Sequence, residues 1–460
     1  MSNRTSTSAY SYNIIGDLEV TIDVTGNPFN IPIEALFQMA ARINKKRSFL
    51  FVSRVLGKHL PVNPYVSLLS GASLGMLYQL FNGKALPYEI QDVVAAFSQP
   101  ERAKAIYERV KGEPLQVEEP TLFIGFAETA TALGHSMFDR FAGETSFIHT
   151  TRESLYDRQS VISFEEEHSH ATSHRCYSCD PALLQGTGPI VLVDDEITTG
   201  KTSLNIIKEL HQAFLRERYV VASLLDWRSP ADQAKFAELE SELGISIDCI
   251  SLIQGQITVS GQPDLAISNS GLSQSSSSQP QYVVHDVSRY MEHVVYTSVN
   301  AQGEYNEEPY LLGTGRFGLK HGDLAALDES LQQCAAYLAS QRIGEQSLCI
   351  GMGEFMYIPM RIAAEMGEGV SYQSSTRSPI YPYAEQGYAV NEVFPFHFPE
   401  DASIKGYFYN VTQGAYDEIF VFVERDSSLE RLSSYLDAVR STGIPVIHVV
   451  HFTAIERREG

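Results

Sequence analysis

Five cysteines in 460 residues, odd in number and scattered along the chain, exclude a disulfide framework as the basis of the fold. Positive charge is also scarce: 34 Lys and Arg stand against 56 Asp and Glu, a net charge of −22. That balance argues against diffuse attraction to nucleic acid or an anionic membrane, and disfavours an RNA-linked role. It favours a small-molecule partner held in a local basic pocket. No apolar run reaches the roughly 20 residues that span a bilayer. Residues 1–12 are polar and Ser/Thr-rich, without the apolar core of a signal peptide, so a cytoplasmic protein is expected. What the chain does have is an ordinary globular balance, 43% hydrophobic and 20% charged, and length enough for two or three cores.

The segment with most chemical content is Pro189-Ile190-Val191-Leu192-Val193-Asp194-Asp195-Glu196-Ile197-Thr198-Thr199-Gly200-Lys201-Thr202. Its apolar run has the length and β-branched content of a central parallel strand, and Leu204, Ile207, Leu210 and Phe214 follow at helical spacing. Between them, Thr198, Thr199, Gly200, Lys201 and Thr202 can turn backbone N–H groups and hydroxyls toward a phosphate at the positive end of that helix. Asp194 and Asp195, at the carboxyl end of the strand, can accept hydrogen bonds from vicinal ribose hydroxyls or lie beside a sugar-bound Mg²⁺.

This order of apolar strand, two acids and Thr-Thr-Gly-x-Thr resembles the 5-phosphoribosyl-1-pyrophosphate (PRPP) loop of the type I phosphoribosyltransferases. Gly200-Lys201-Thr202 also looks like the end of a nucleoside-triphosphate P-loop, but that pattern needs a glycine where Asp195 stands and carries no acidic pair. One departure from the family pattern is Glu196, which occupies a position usually held by an aliphatic residue.

Strand-like runs at 122–125, 147–150, 190–193 and 220–225 alternate with helical patterns, and runs at 347–350, 369–373, 419–423 and 445–450 do the same. Both halves therefore read as α/β with largely parallel, twisted sheets. The expected division is a tail at 1–24, a PRPP-binding domain at 25–258, a Ser/Gln-rich linker at 259–282 and a second domain at 283–460.

Ligands of an open parallel sheet gather at the carboxyl ends of its strands. After 122–125 comes a small-residue turn containing Ala127, Glu128 and Thr129, which by resemblance is the pyrophosphate loop. Arg152 follows the next strand and suits bidentate contact with phosphate oxygens. His168 and His170 lie in a polar stretch placed like the flexible hood loop of orotate phosphoribosyltransferase, where cations would stabilise the departing diphosphate. With His174, Cys176 and Cys179 they could hold zinc, although a single C-x-x-C is a weak signal. Upstream, Lys58 and His59 belong to a basic segment that reads either as phosphate or acceptor contacts or as a solvated turn.

The second half carries Thr376-Arg377-Ser378-Pro379. The whole chain resembles a bacterial family in which a phosphoribosyltransferase domain is followed by a domain named for that motif, with Phe51-Val52-Ser53-Arg54-Val55-Leu56-Gly57-Lys58-His59 and Gly351-Met352-Gly353-Glu354-Phe355 carrying the likeness further. The resemblance implies tellurium-resistance-type stress clusters and synthesis of a nucleoside-like metabolite.

The halves also repeat each other. Ile124-Gly125-Phe126-Ala127-Glu128 is echoed by Ile350-Gly351-Met352-Gly353-Glu354, Thr151-Arg152 by Thr376-Arg377, and Val193-Asp194 by Val423-Glu424, in order and at an offset of about 225–230 residues. The second copy lacks the paired acids and the glycine. It is expected to be a degenerate phosphoribosyltransferase-like repeat that keeps Glu354 and Arg377 for a second ligand or the acceptor, in a chain that is a monomer with pseudo-dimeric halves or a homodimer. The function expected is Mg²⁺-dependent transfer of a 5-phosphoribosyl group from PRPP to a base or small acceptor, with pyrophosphate released. Its rival is a PRPP-sensing protein without turnover.

Overall fold

The computed structural model describes residues 8–43, 47–165, 173–265, 279–425 and 428–454. The first-half sheet contains β1 (Ser8–Ile15), β2 (Leu18–Gly26), β3 (Thr121–Gly125), β4 (Thr145–His149), β5 (Ile190–Ile197), β6 (Arg218–Asp226) and β7 (Ser246–Ser260). Its order is β1-β2-β7-β6-β5-β3-β4, closed on the far edge by the short strand Leu319–Lys320 from the second half. The strands from β7 to β4 run parallel. The second sheet is built from β8 (Gln281–Asp286), β9 (Ser347–Gly351), β10 (Val370–Ser374), β11 (Glu418–Val423) and β12 (Val446–His451), in the order β8-β12-β11-β9-β10, all parallel.

All eight strands expected from the sequence form. Residues 190–193 and 419–423 are fully buried, so these strands read as unbroken apolar runs rather than alternating ones. Strand β5 runs beyond the apolar stretch, through both acids, to Ile197.

The stretch read as a tail is different: residues 8–26 form an antiparallel hairpin on the sheet edge, joined by Gly16 and Asp17. Leu18, Val20, Ile22 and Val24 are buried while Glu19, Thr21 and Asp23 are half-exposed. That period-two alternation is the signature of a strand with one covered face. Most of the linker, 266–278, lies outside the described residues, but its ends belong to β7 and β8.

The two parallel cores have one topology. Strands β6-β5-β3-β4 and β12-β11-β9-β10 have the same order, direction and chain sequence. Only the fifth strand differs: β7 follows its neighbour in the chain, whereas β8 precedes the whole second core. Gly125 and Gly351 end equivalent strands, and a Cβ on either would stand 2.3 or 2.4 Å from a carbonyl oxygen, of Ala130 and Phe355 respectively. With these glycines aligned, the register of Leu122 on Ile190 and of Leu348 on Ile419 sets Asp194-Asp195 against Val423-Glu424. The equivalence is one residue from that of the sequence anchors.

Candidate active site

Three strand ends are stitched together at the carboxyl edge of the first sheet. Phe126 N–H donates to the Val193 carbonyl (3.1 Å) and Thr150 N–H to the Gly125 carbonyl (2.9 Å). Ala127 N–H donates to the Thr150 hydroxyl (2.8 Å). The acids in the carboxyl-terminal half of β5 therefore stand beside the turn that follows β3.

Asp194 and Asp195 are partly exposed, and the Asp195 N–H donates to Asp194 Oδ1 at 2.9 Å. Gly200 then takes a left-handed conformation (φ 72°) before helix Lys201–Phe214. An added Cβ there would meet the Phe236 ring at 2.4 Å, so both backbone angle and space demand glycine. Glu196 does not add free negative charge to this edge. Arg47 pairs with it at 2.6 Å, with its guanidinium 4.6 Å over the Phe49 ring.

The turn after β3, with a cis Ala127–Glu128 peptide, leads into helix Ala130–Phe138. Glu128 is buried, with Lys58 Nζ at 3.5 Å and an Arg152 guanidinium nitrogen at 3.8 Å. Burial alone would raise its pKa, but Lys58, Arg152 and Arg377 together hold it below the usual carboxylate range. Lys58 also donates to the Thr129 hydroxyl. His59 is buried beside Tyr409, and among the described residues neither ring nitrogen has a hydrogen-bond partner. Burial, then Lys58 and Arg42, push its pKa well down, so the ring is neutral.

His168 and His170 lie outside the described residues. The hairpin that carries them, Ile162–Glu165 with Ser173–Cys176, is rooted on the site: Thr151 and Arg175 exchange backbone hydrogen bonds, and His174 Nδ1 lies 3.0 Å from the Thr150 hydroxyl.

Glu354 and Arg377, from the second half, reach this same edge, and they do so reciprocally. Glu354 accepts from the Thr151 hydroxyl (2.6 Å) and the Arg152 N–H (2.8 Å). Glu128 accepts from the Thr376 hydroxyl and the Arg377 N–H, both at 3.4 Å. The glutamate after the first core strand in each half thus caps the Thr-Arg turn of the other, the pattern of an isologous interface written within one chain.

The edge of the second sheet is closed by the chain itself. Arg316, 2% exposed, pairs with Glu424 at 2.8 Å and lies 3.5 Å from Glu153 and 3.7 Å from Glu354. Arg425 pairs with Glu153 at 3.0 Å and stacks 3.5 Å over Tyr310. Tyr357 and Tyr372 are buried in packing; Tyr357 lies 3.5 Å from the His135 ring, nearly parallel to it. Arg316 had one sequence signal, a lone arginine set among Gly313, Gly315 and Gly318. Nothing local pointed to the Arg47–Glu196 pair. A cavity of about 850 Å³ lies elsewhere, against Tyr10, Phe29, Leu77 and Phe81.

Among the described residues no group of three or more His, Cys, Asp or Glu side chains is arranged to hold a metal. Cys176 is buried, its thiol pushed up to about 12, while Cys179 is exposed. Two adjacent, partly exposed carboxylates fit a Mg²⁺ that keeps most of its shell as substrate oxygens and water, not one caged by protein. No helix is long and apolar enough to cross a membrane.

Residues 36–256 match the family described as "Phosphoribosyl transferase", and residues 313–439 match "TRSP domain C terminus to PRTase_2". No curated protein matches the chain. Solved structures similar to it include an adenine phosphoribosyl transferase from Trypanosoma brucei, in complex with AMP, pyrophosphate and ribose-5-phosphate. It shares 13% identity over 51% of this chain and 82% of that one, with a TM-score of 0.30. The adenine phosphoribosyltransferase of Rhodothermus marinus shares 16% over 40% and 98% (TM-score 0.21), and that of Leishmania tarentolae 20% over 35% and 75% (TM-score 0.22). Scores of this size carry no detail of the site. The two family matches together span about three-quarters of the chain, which belongs to the family in which a phosphoribosyl transferase domain is followed by a TRSP domain.

Proposed function

We propose that the first-half edge binds PRPP and transfers its 5-phosphoribosyl group to a small acceptor, releasing pyrophosphate, in the synthesis of a nucleoside-like metabolite. The observation that carries the reading is the junction of an adjacent, partly exposed acid pair and a glycine-capped helix N-terminus with a cation-lined turn, on neighbouring parallel strands.

Asp194 and Asp195 accept from the ribose hydroxyls, and the N–H groups of residues 198–202 take the 5-phosphate. The diphosphate lies on the turn at Ala127, Glu128 and Thr129, within reach of Lys58 and Arg152. As the bond from C1 to the diphosphate oxygen breaks, its electron pair leaves with the diphosphate, and the acceptor's nucleophilic atom takes C1. Positive charge placed beforehand in a water-poor site favours that separation. Mg²⁺, bound chiefly by substrate oxygens beside Asp194 and Asp195, would neutralise part of the diphosphate charge. His59, neutral and buried, backs Lys58.

The direct test is incubation with PRPP and Mg²⁺ against panels of purines, pyrimidines and small aromatic acids, with pyrophosphate release as the readout. Release with one acceptor, abolished by Asp194→Asn with Asp195→Asn, is the expected result. Saturable PRPP binding without release for any acceptor would favour a sensor over an enzyme.

A further inference from the structure

The cations around Glu128 come from both halves of the chain. Lys58 and Arg152 belong to the first, Arg377 to the second. Arg377 is half-buried, with its guanidinium 5.2 Å over the Phe398 ring, and among the described residues it makes no ion pair within 4 Å. Glu128 is 5% exposed and its Oε1, although buried, has no hydrogen-bond partner. Lys58, Arg152 and Arg377 all act on the Glu128 carboxylate, which leaves a buried oxygen unsatisfied, and Arg377 faces Glu153 as well. A diphosphate brings more charge and more acceptor atoms to such a group of cations than a single carboxylate does.

The second edge offers no comparable opening. Arg316 and Arg425 are consumed there by Glu424 and Glu153, so two buried arginines meet carboxylates of the chain itself.

We propose that Arg377 of the TRSP motif is a ligand of the diphosphate bound at the first-half site, and that Glu128 is an internal anion holding Lys58, Arg152 and Arg377 in place until the diphosphate displaces it. The inference rests on the reading of that edge as a PRPP site. It makes the TRSP domain part of one composite site instead of the holder of a second. The reciprocal caps, Glu354 on Thr151 and Arg152 and Glu128 on Thr376 and Arg377, fix the two arginine-bearing turns against each other, so Arg377 is delivered by the fold and needs no large motion.

Calorimetric titrations of the full chain in Mg²⁺ with pyrophosphate and, separately, ribose 5-phosphate test it. Ribose 5-phosphate uses Asp194, Asp195 and the 198–202 loop only. Arg377→Gln should weaken pyrophosphate binding about tenfold or more while changing ribose 5-phosphate binding less than about twofold, with Arg377→Lys between. Glu128→Gln removes the competing charge and should tighten pyrophosphate binding several-fold. Thermal melts of each variant show that the fold persists. Unchanged pyrophosphate affinity in Arg377→Gln, or weakened affinity in Glu128→Gln, overturns the composite site while ribose 5-phosphate binding stands. Failure of the unaltered chain to bind ribose 5-phosphate overturns the reading of the edge itself, and this inference with it.

Discussion

At the scale of single residues the acids near the two sheet edges differ in their exposure and in their partners. Asp194 and Asp195 remain partly exposed, whereas Glu196 is taken by Arg47, and Glu153, Glu354 and Glu424 surround Arg316. Arg316→Met should therefore be severely destabilising, by about 3–5 kcal/mol in urea unfolding, because it strands buried carboxylates rather than merely losing one contact. A loss under ~1 kcal/mol would show that the network is solvated. Asp194, Asp195 and the threonine loop were legible in the sequence because strand, acids and cradle are contiguous. The partners of Glu196 and Glu424 were not: Arg47 and Arg316 lie more than a hundred residues away from them, and charge pairing across such a distance leaves no periodic mark.

At the scale of elements, helix Lys201–Phe214 can point its N-terminus at a phosphate only because Gly200 turns the chain through a left-handed angle against Phe236. Gly200→Ala adds backbone strain of roughly 1–2 kcal/mol and a clash with the ring. The expected result is a lower melting temperature together with loss of ribose 5-phosphate binding; retained binding at full affinity would mean that the cradle does not hold the phosphate. The eight core strands were readable from apolar runs, since buried parallel strands need no polar face. The β1–β2 hairpin was readable too, in the alternation of Leu18, Val20, Ile22 and Val24, but the Ser/Thr-rich start of the chain outweighed it.

At the scale of the molecule, the shared topology of the two parallel cores and their reciprocal glutamate caps support an internal duplication that closed on itself as a pseudo-dimer. Leu319–Lys320 extends the first sheet, and Arg361 joins Asp328 to Asp139 across the halves. Buried histidines couple this packing to pH. Burial lowers His59 and His135 well below their ordinary value and His149 to about 3. In the unfolded chain these rings take up protons below about pH 6.5, while in the folded chain they stay neutral, so the unfolded state binds more protons and stability falls as pH drops. The three together give a slope of up to about 4 kcal/mol per pH unit between pH 6 and 4. Urea midpoints across that range check it, and a flat profile would show that the rings are reached by water.

Of the second half, the sequence disclosed the repeated anchors and the lost acids, but not that the vacated edge is filled by the chain's own Arg316 and Arg425. One PRPP site per chain, held by Asp194 and Asp195, is expected. Titration of PRPP into the full chain in Mg²⁺ tests it most directly. Saturation is expected at one equivalent, abolished by Asp194→Asn with Asp195→Asn at an unchanged melting temperature. Undiminished binding in that variant, or saturation at two equivalents, would contradict it.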